Sequence, residues 1–167
     1  MDLTPYIRWI VFLHIAGAFM FVAGHGVSMF VAFQIRKERD RLRLAALLDL
    51  SAGSLAVAGI GLLVLFLSGI LAGIVLGSFG KWWIWISLGL LIVIAGLMNP
   101  VGTVRMGKVR AALGKRTRNL KPADPDPVPA SDADLEALLV SRAPETLLYL
   151  GGGGFLVILW LMMFRPF

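Results

Sequence analysis

The chain has 167 residues, of which 58% are apolar and only 16% charged, and it contains no cysteine. Soluble domains carry about 25% charged residues, so this composition describes a single domain solvated by lipid; the missing cysteines exclude disulfides, thiolate metal sites and cysteine nucleophiles. The net charge of +6 suggests a nucleic-acid partner until the charges are placed along the chain.

The N-terminus does not read as a cleavable signal peptide. Asp2 is the only charge before Arg8, and the apolar stretch that follows exceeds the roughly 7–15 residues of a signal h-region. A membrane-spanning helix needs roughly 20 apolar residues. Four stretches qualify, at about 7–35, 52–77, 82–104 and 146–164. The third is interrupted by Asn99-Pro100. None alternates polar and apolar residues as barrel strands do. The predicted fold is all-α: an integral membrane four-helix transmembrane bundle, antiparallel and up-down, forming one domain over residues 1–167.

Basic residues orient the spans. The connections at about 36–50 and 105–143 hold 13 of the Lys and Arg residues, and Arg8, Lys81 and Arg165 are the other 3. Both connections are therefore predicted cytoplasmic, with both termini on the non-cytoplasmic side of the cell (inner) membrane. Tyr6, Trp9, Trp82, Trp83, Trp85 and Trp160 fall near the opposite, outer ends, where amphipathic rings favour the interface. Basic side chains flanking spans face anionic headgroups. This excludes nucleic acid and makes the lipid bilayer the principal partner.

The first connection reads as helical, with Leu42, Leu44, Leu47 and Leu48 forming a partial apolar stripe, and is expected to extend the first span or to lie at the interface. In the second long connection, a basic amphipathic helix is predicted from Val101 to Leu113, ending at Gly114. A proline-rich extended linker follows from Lys121 to Ala130. A short helix is then capped by Ser131 in a capping-box-like pattern with Asp134. That helix has one apolar face, Leu135, Leu138 and Leu139, and its acidic residues read as a solvated face or, alternatively, as partners of the basic helix across the linker.

Helices in lipid associate through small residues. Gly69, Gly73 and Gly77 form a repeat in the second span, Gly24 and Ser28 a pair in the first, and Gly89 and Gly96 lie a heptad apart in the third. These glycine faces suit a homodimer or partner membrane helices. Gly151 to Gly154 weaken the last helix by roughly 1 kcal/mol each relative to alanine. They read as helix packing, as a hinge, or as a groove where a flat group or a backbone comes close.

The two histidines, His14 and His25, both lie in the first span, where an ionisable group is a functional-site hypothesis. Eleven residues of helix place them on one face and about 16.5 Å apart along the axis. One iron cannot bridge that gap, so a bis-histidine haem within one chain is excluded. A haem with histidine and a different second ligand, two stacked haems, or a haem shared between protomers all remain. Methionine is an established partner of histidine. Met162 and Met163 are at the depth of His14, and Met98 is at the depth of His25. Histidine and methionine also suit copper. The cofactor-binding candidates are therefore His14, His25, Met98 and Met162, with haem b as the cofactor and copper as the alternative; the metal candidates are His14 and His25. Hydrogen bonding of each histidine to a neighbouring helix is the structural alternative. No phosphate loop, HExxH motif or nucleophile elbow is present.

The stretch Trp9-Ile10-Val11-Phe12-Leu13-His14-Ile15-Ala16, followed by Phe21-Val22-Ala23-Gly24, resembles the first helix of a superfamily of small membrane proteins. It includes HemJ-type protoporphyrinogen oxidases and the membrane domain of copper-resistance protein D. Within it the chain is most similar to a prokaryotic family of predicted integral membrane proteins of unassigned function. The resemblance is sharpest over about residues 6–36 and implies a four-span layout. From the HemJ-type enzymes it implies a haem b role for His14 alone. Ser87 stands where those enzymes carry a third-helix lysine, so protoporphyrinogen oxidation does not carry over. From the copper-resistance relatives it implies copper transport. An interaction protein, with residues 101–142 docking a cytoplasmic partner, is the non-catalytic alternative.

Overall fold

A 3-10 turn, Thr4–Tyr6, opens onto helix α1, Ile7–Gln34. Asp40 then caps α2, Arg41–Val75, by accepting from the backbone N–H groups of Leu42 and Arg43. The first connection is thus a short turn, and its leucine-rich half extends the second span rather than the first. At 35 residues, α2 is about 52 Å long, well beyond the roughly 30 Å of a hydrocarbon core. The computed structural model describes residues 3–98, 102, 104–117, 120–121, 123–140 and 143–166, and among these there are helices and no strands.

The α1–α2 pair is built on a seven-residue period. On α1 the buried positions Ile10, Gly17, Gly24 and Val31 recur every seventh residue, and Leu44, Ser51 and Ala58 do so on α2. That period keeps one seam of each helix facing the other in a left-handed coil. Glycine lets the backbones touch: a Cβ on Gly17 would lie 2.6 Å from the Leu65 nitrogen, and one on Gly24 would lie 2.7 Å from that of Ala58. The Ser28 and Ser51 hydroxyls hydrogen-bond across the seam at 2.8 Å. Contacts climb α1 from His14 to Ser28 as they descend α2 from Leu65 to Ser51.

The expected Gly69–Gly73–Gly77 packing face divides its tasks differently. Gly69 seats the His14 ring and Gly73 seats the Phe79 ring. Gly77 ends the helix in the left-handed region, φ +60°, a conformation glycine adopts without steric cost. A second 3-10 turn, Ser78–Gly80, leads into α3, Trp82–Met98. Asn99-Pro100, the expected interruption, lies outside the described residues.

At the basic end, α4 (Arg105–Ala112) and α5 (Asp132–Leu139) fold back onto the ends of α1 and α2. Val31, Ile35, Leu44, Leu48, Val109, Ala112, Leu135 and Leu139 form one buried cluster. Leu135 and Leu139 on the apolar face of α5 are therefore covered by this chain, with Leu138 partly buried beside them. Gly114, at φ +74°, follows the end of α4, and the Ser131 hydroxyl accepts from the Asp134 N–H at 3.2 Å. The acidic residues are paired rather than merely solvated. Asp132 meets Arg41 at 2.6 Å, Glu136 meets Arg39 at 3.2 Å, and Asp126 meets Arg116 at 2.6 Å. With Asp132 94% exposed, such pairs contribute little stability. The Lys115 ammonium, with Arg110 beside it, holds the Asp49 carboxyl below the usual carboxylate range.

The chain closes with α6 (Ala143–Leu147), a π-helical turn (Leu148–Gly153) and α7 (Gly154–Phe164). Gly154 lies against Ile94 of α3, and the Arg165 guanidinium sits 5.7 Å over the Trp83 ring. Trp83 is consequently buried, unlike the exposed Trp9, Trp82, Trp85 and Trp160. Three stretches, Thr4–Gln34, Arg41–Val75 and Asp132–Phe164, are long and apolar enough to cross a membrane, and Trp82–Met98 is a shorter apolar helix.

Candidate cofactor site

His14 and His25 share a face of α1, as their spacing requires, but their rings enter different surroundings. At the level of His14 the opening is Gly69 on α2, where a Cβ would come within 2.9 Å of the ring. At the level of His25 the opening is Gly151 on the C-terminal π-turn, where a Cβ would come within 2.9 Å of Nε2. Each ring occupies the space that a missing side chain leaves.

His14 Nδ1 donates to the Leu65 carbonyl of α2 at 2.9 Å, the bond to a neighbouring helix that the structural alternative expects for this histidine. A carbonyl only accepts, so the proton is on Nδ1 and the Nε2 lone pair stays available as a ligand. Leu65 O also accepts from the Ser68 hydroxyl at 3.2 Å. Nδ1–H to a backbone carbonyl fixes tautomer and ring orientation, as second-shell partners of ligating histidines do. Met162, expected at this depth, is half-buried on α7. The hydrogen bond and the ring contact that hold His14 both come from α2, so neither assembles a His14–Met162 pair.

His25 does meet its expected methionine. The point where a Gly151 Cβ would lie is 2.9 Å from His25 Nε2, 3.0 Å from Met98 Sδ and 2.8 Å from Met98 Cε. Nitrogen and sulfur thus converge on one spot from α1 and α3, beside the backbone of the C-terminal segment. His25 Nε2 is buried and finds no hydrogen-bond partner among the described residues. Phe21, one turn before His25, lies nearly parallel to its ring at 5.8 Å and 7°, and Phe155 stacks on Phe21 at 5.1 Å. This aromatic column went unnoticed in the sequence, where the i, i+4 spacing of Phe21 and His25 was the available signal.

Ser87 is buried, and its hydroxyl donates to Trp83 O at 2.7 Å. It is satisfied within its own helix. Among the described residues no three His, Asp or Glu side chains lie together where they could hold a metal ion. The chain matches no protein-family model, no curated protein and no solved structure.

Proposed function

We propose that this chain is a four-span integral protein of the cell membrane, antiparallel throughout, with both termini outside, that binds haem b through His14 and serves electron transfer or redox chemistry. Support for the membrane reading is the belt of exposed apolar side chains on every long helix, among them Phe12, Phe19, Leu63, Ile74, Ile92 and Leu156. In water such a surface would aggregate; in lipid it is solvated.

The single observation that carries the haem reading is the His14–Leu65 hydrogen bond. It leaves Nε2 with its lone pair on a half-exposed ring at the edge of the α1–α2 pair, within a stretch where an unmatched polar atom is costly. A haem held there would take His14 Nε2 as its ligand, with Leu65 O fixing the imidazole. A haem b bound there supplies one-electron transfer at membrane depth. The interaction reading is favoured by one observation only, the open space around Gly89 and Gly96 on α3, which leaves that face for a second copy or a partner helix.

Visible spectroscopy of the detergent-purified protein tests the haem reading. The expected result is a Soret band with α and β bands on dithionite reduction. His14→Ala should lose at least nine-tenths of the absorbance, and His25→Ala should keep it. A flat spectrum after expression with ample haem would contradict the reading, and so would unchanged bands in His14→Ala.

A further inference from the structure

We propose that His25 and Met98 form a separate site for a single soft monovalent metal ion, Cu(I) in chemical class, and not a pair of axial haem ligands. The inference goes beyond the haem reading and does not depend on it. Its starting point is the convergence of a buried, unpartnered imidazole nitrogen and a thioether sulfur on one point beside Gly151.

Haem does not fit between these two atoms. A macrocycle extends in every direction around its nitrogen–iron–sulfur axis, whereas here the Gly151 main chain stands next to that axis. A lone ion has no such requirement. Metal–imidazole and metal–sulfur bonds are about 2.0 Å and about 2.3 Å. The nitrogen and the sulfur cannot be farther apart than the sum of their 2.9 Å and 3.0 Å distances to the shared point. Methionine has three side-chain torsions with which to close the remainder.

The chemistry selects the ion. A thioether with an imidazole is a soft donor set, which favours Cu(I) over hard cations. Both donors are neutral, and no third His, Asp or Glu joins them among the described residues. A divalent ion would leave two charges uncompensated in a low-dielectric setting, and a monovalent ion leaves one. Phe21 lies nearly parallel to the imidazole, and Phe155 stacks on Phe21. The π-helical turn Leu148–Gly153 is a second, independent sign. Such turns are rare, concentrate at functional sites, and here bring a residue without a side chain to the place where the donors meet.

Anaerobic competition for Cu(I) against a chromogenic chelator, with the full-length protein in detergent, tests the site. Wild type should withdraw one Cu(I) per chain. His25→Ala and Met98→Leu should each weaken binding at least tenfold, and Met20→Leu, an exposed methionine elsewhere on α1, should leave it unchanged. X-ray absorption of the Cu(I)-loaded wild type should show both nitrogen and sulfur neighbours, a readout that holds even where a variant fails to fold. Failure of wild type to compete, equal affinity in all three variants, or a copper shell without sulfur would overturn the proposal. The haem spectrum is scored separately, so loss of one reading does not decide the other.

Discussion

Gly24→Val is expected to lower the stability of the detergent-solubilised protein by about 3 kcal/mol or more, at the upper end of overpacking costs. A Cβ at position 24 meets Ser54 O, the Ala58 nitrogen and the Ala58 Cβ. Two of these are backbone atoms of a continuous helix, which cannot rotate away as a side chain would. The α1–α2 seam must open, and the Ser28–Ser51 hydrogen bond a turn away opens with it. By the scaling for domains of this size the melting temperature falls by roughly 6–12 °C, read by size-exclusion chromatography after heating. Gly89→Ala and Gly96→Ala are the controls. A Cβ at either position meets nothing within 4 Å, and alanine favours the helix by up to about 1 kcal/mol. Equal behaviour of Gly24→Val and the controls would refute the seam.

Leu139→Asp is expected to release the helical cap at the basic end. Leu139 is 1% exposed within the cluster that joins α1, α2, α4 and α5. An uncompensated buried charge costs about 3–5 kcal/mol. Protonation of the carboxyl relieves part of that cost, so the defect should be larger at pH 8 than at pH 5. Limited proteolysis within residues 123–130 reports it, with cleavage accelerated at least tenfold. Ala137→Asp, on the exposed side of the same helix, should cleave like wild type. Slow cleavage of Leu139→Asp at both pH values would show that α5 is not held by this core.

Much of this architecture was legible in the sequence because long apolar helices follow a simple code. Uncharged length alone marked the long helices, and Ser131 with Asp134 and Gly114 marked local ends through capping chemistry that depends on only a few neighbouring residues. What the code does not carry is which helix a glycine faces. Gly69 and Gly73 have the spacing of a helix-packing face and instead seat rings, because His14 and Phe79 arrive from other elements. The true seam, Ile10–Gly17–Gly24–Val31, is a heptad visible in hindsight. The same limit governs the histidines. Axial rise placed Met98 at the depth of His25, and the structure brings the two together. For His14, the hydrogen bond and the close glycine both come from α2, since depth says nothing about which neighbour offers an opening. The 41–50 stretch was legible as helix from its leucines, but its continuity with α2 was not, because its charges interrupt the uncharged run that marks a span.

Every depth assignment rests on the proposed four-span topology, and the absence of native cysteine makes that topology directly testable. Single cysteines at Gly80→Cys, Pro166→Cys and Ala133→Cys are exposed to a membrane-impermeant maleimide in intact and in permeabilised cells. The proposal predicts labelling of positions 80 and 166 in intact cells, with position 133 labelled only after permeabilisation. Labelling of position 133 in intact cells, or protection of 80 or 166 until the membrane is opened, would contradict it.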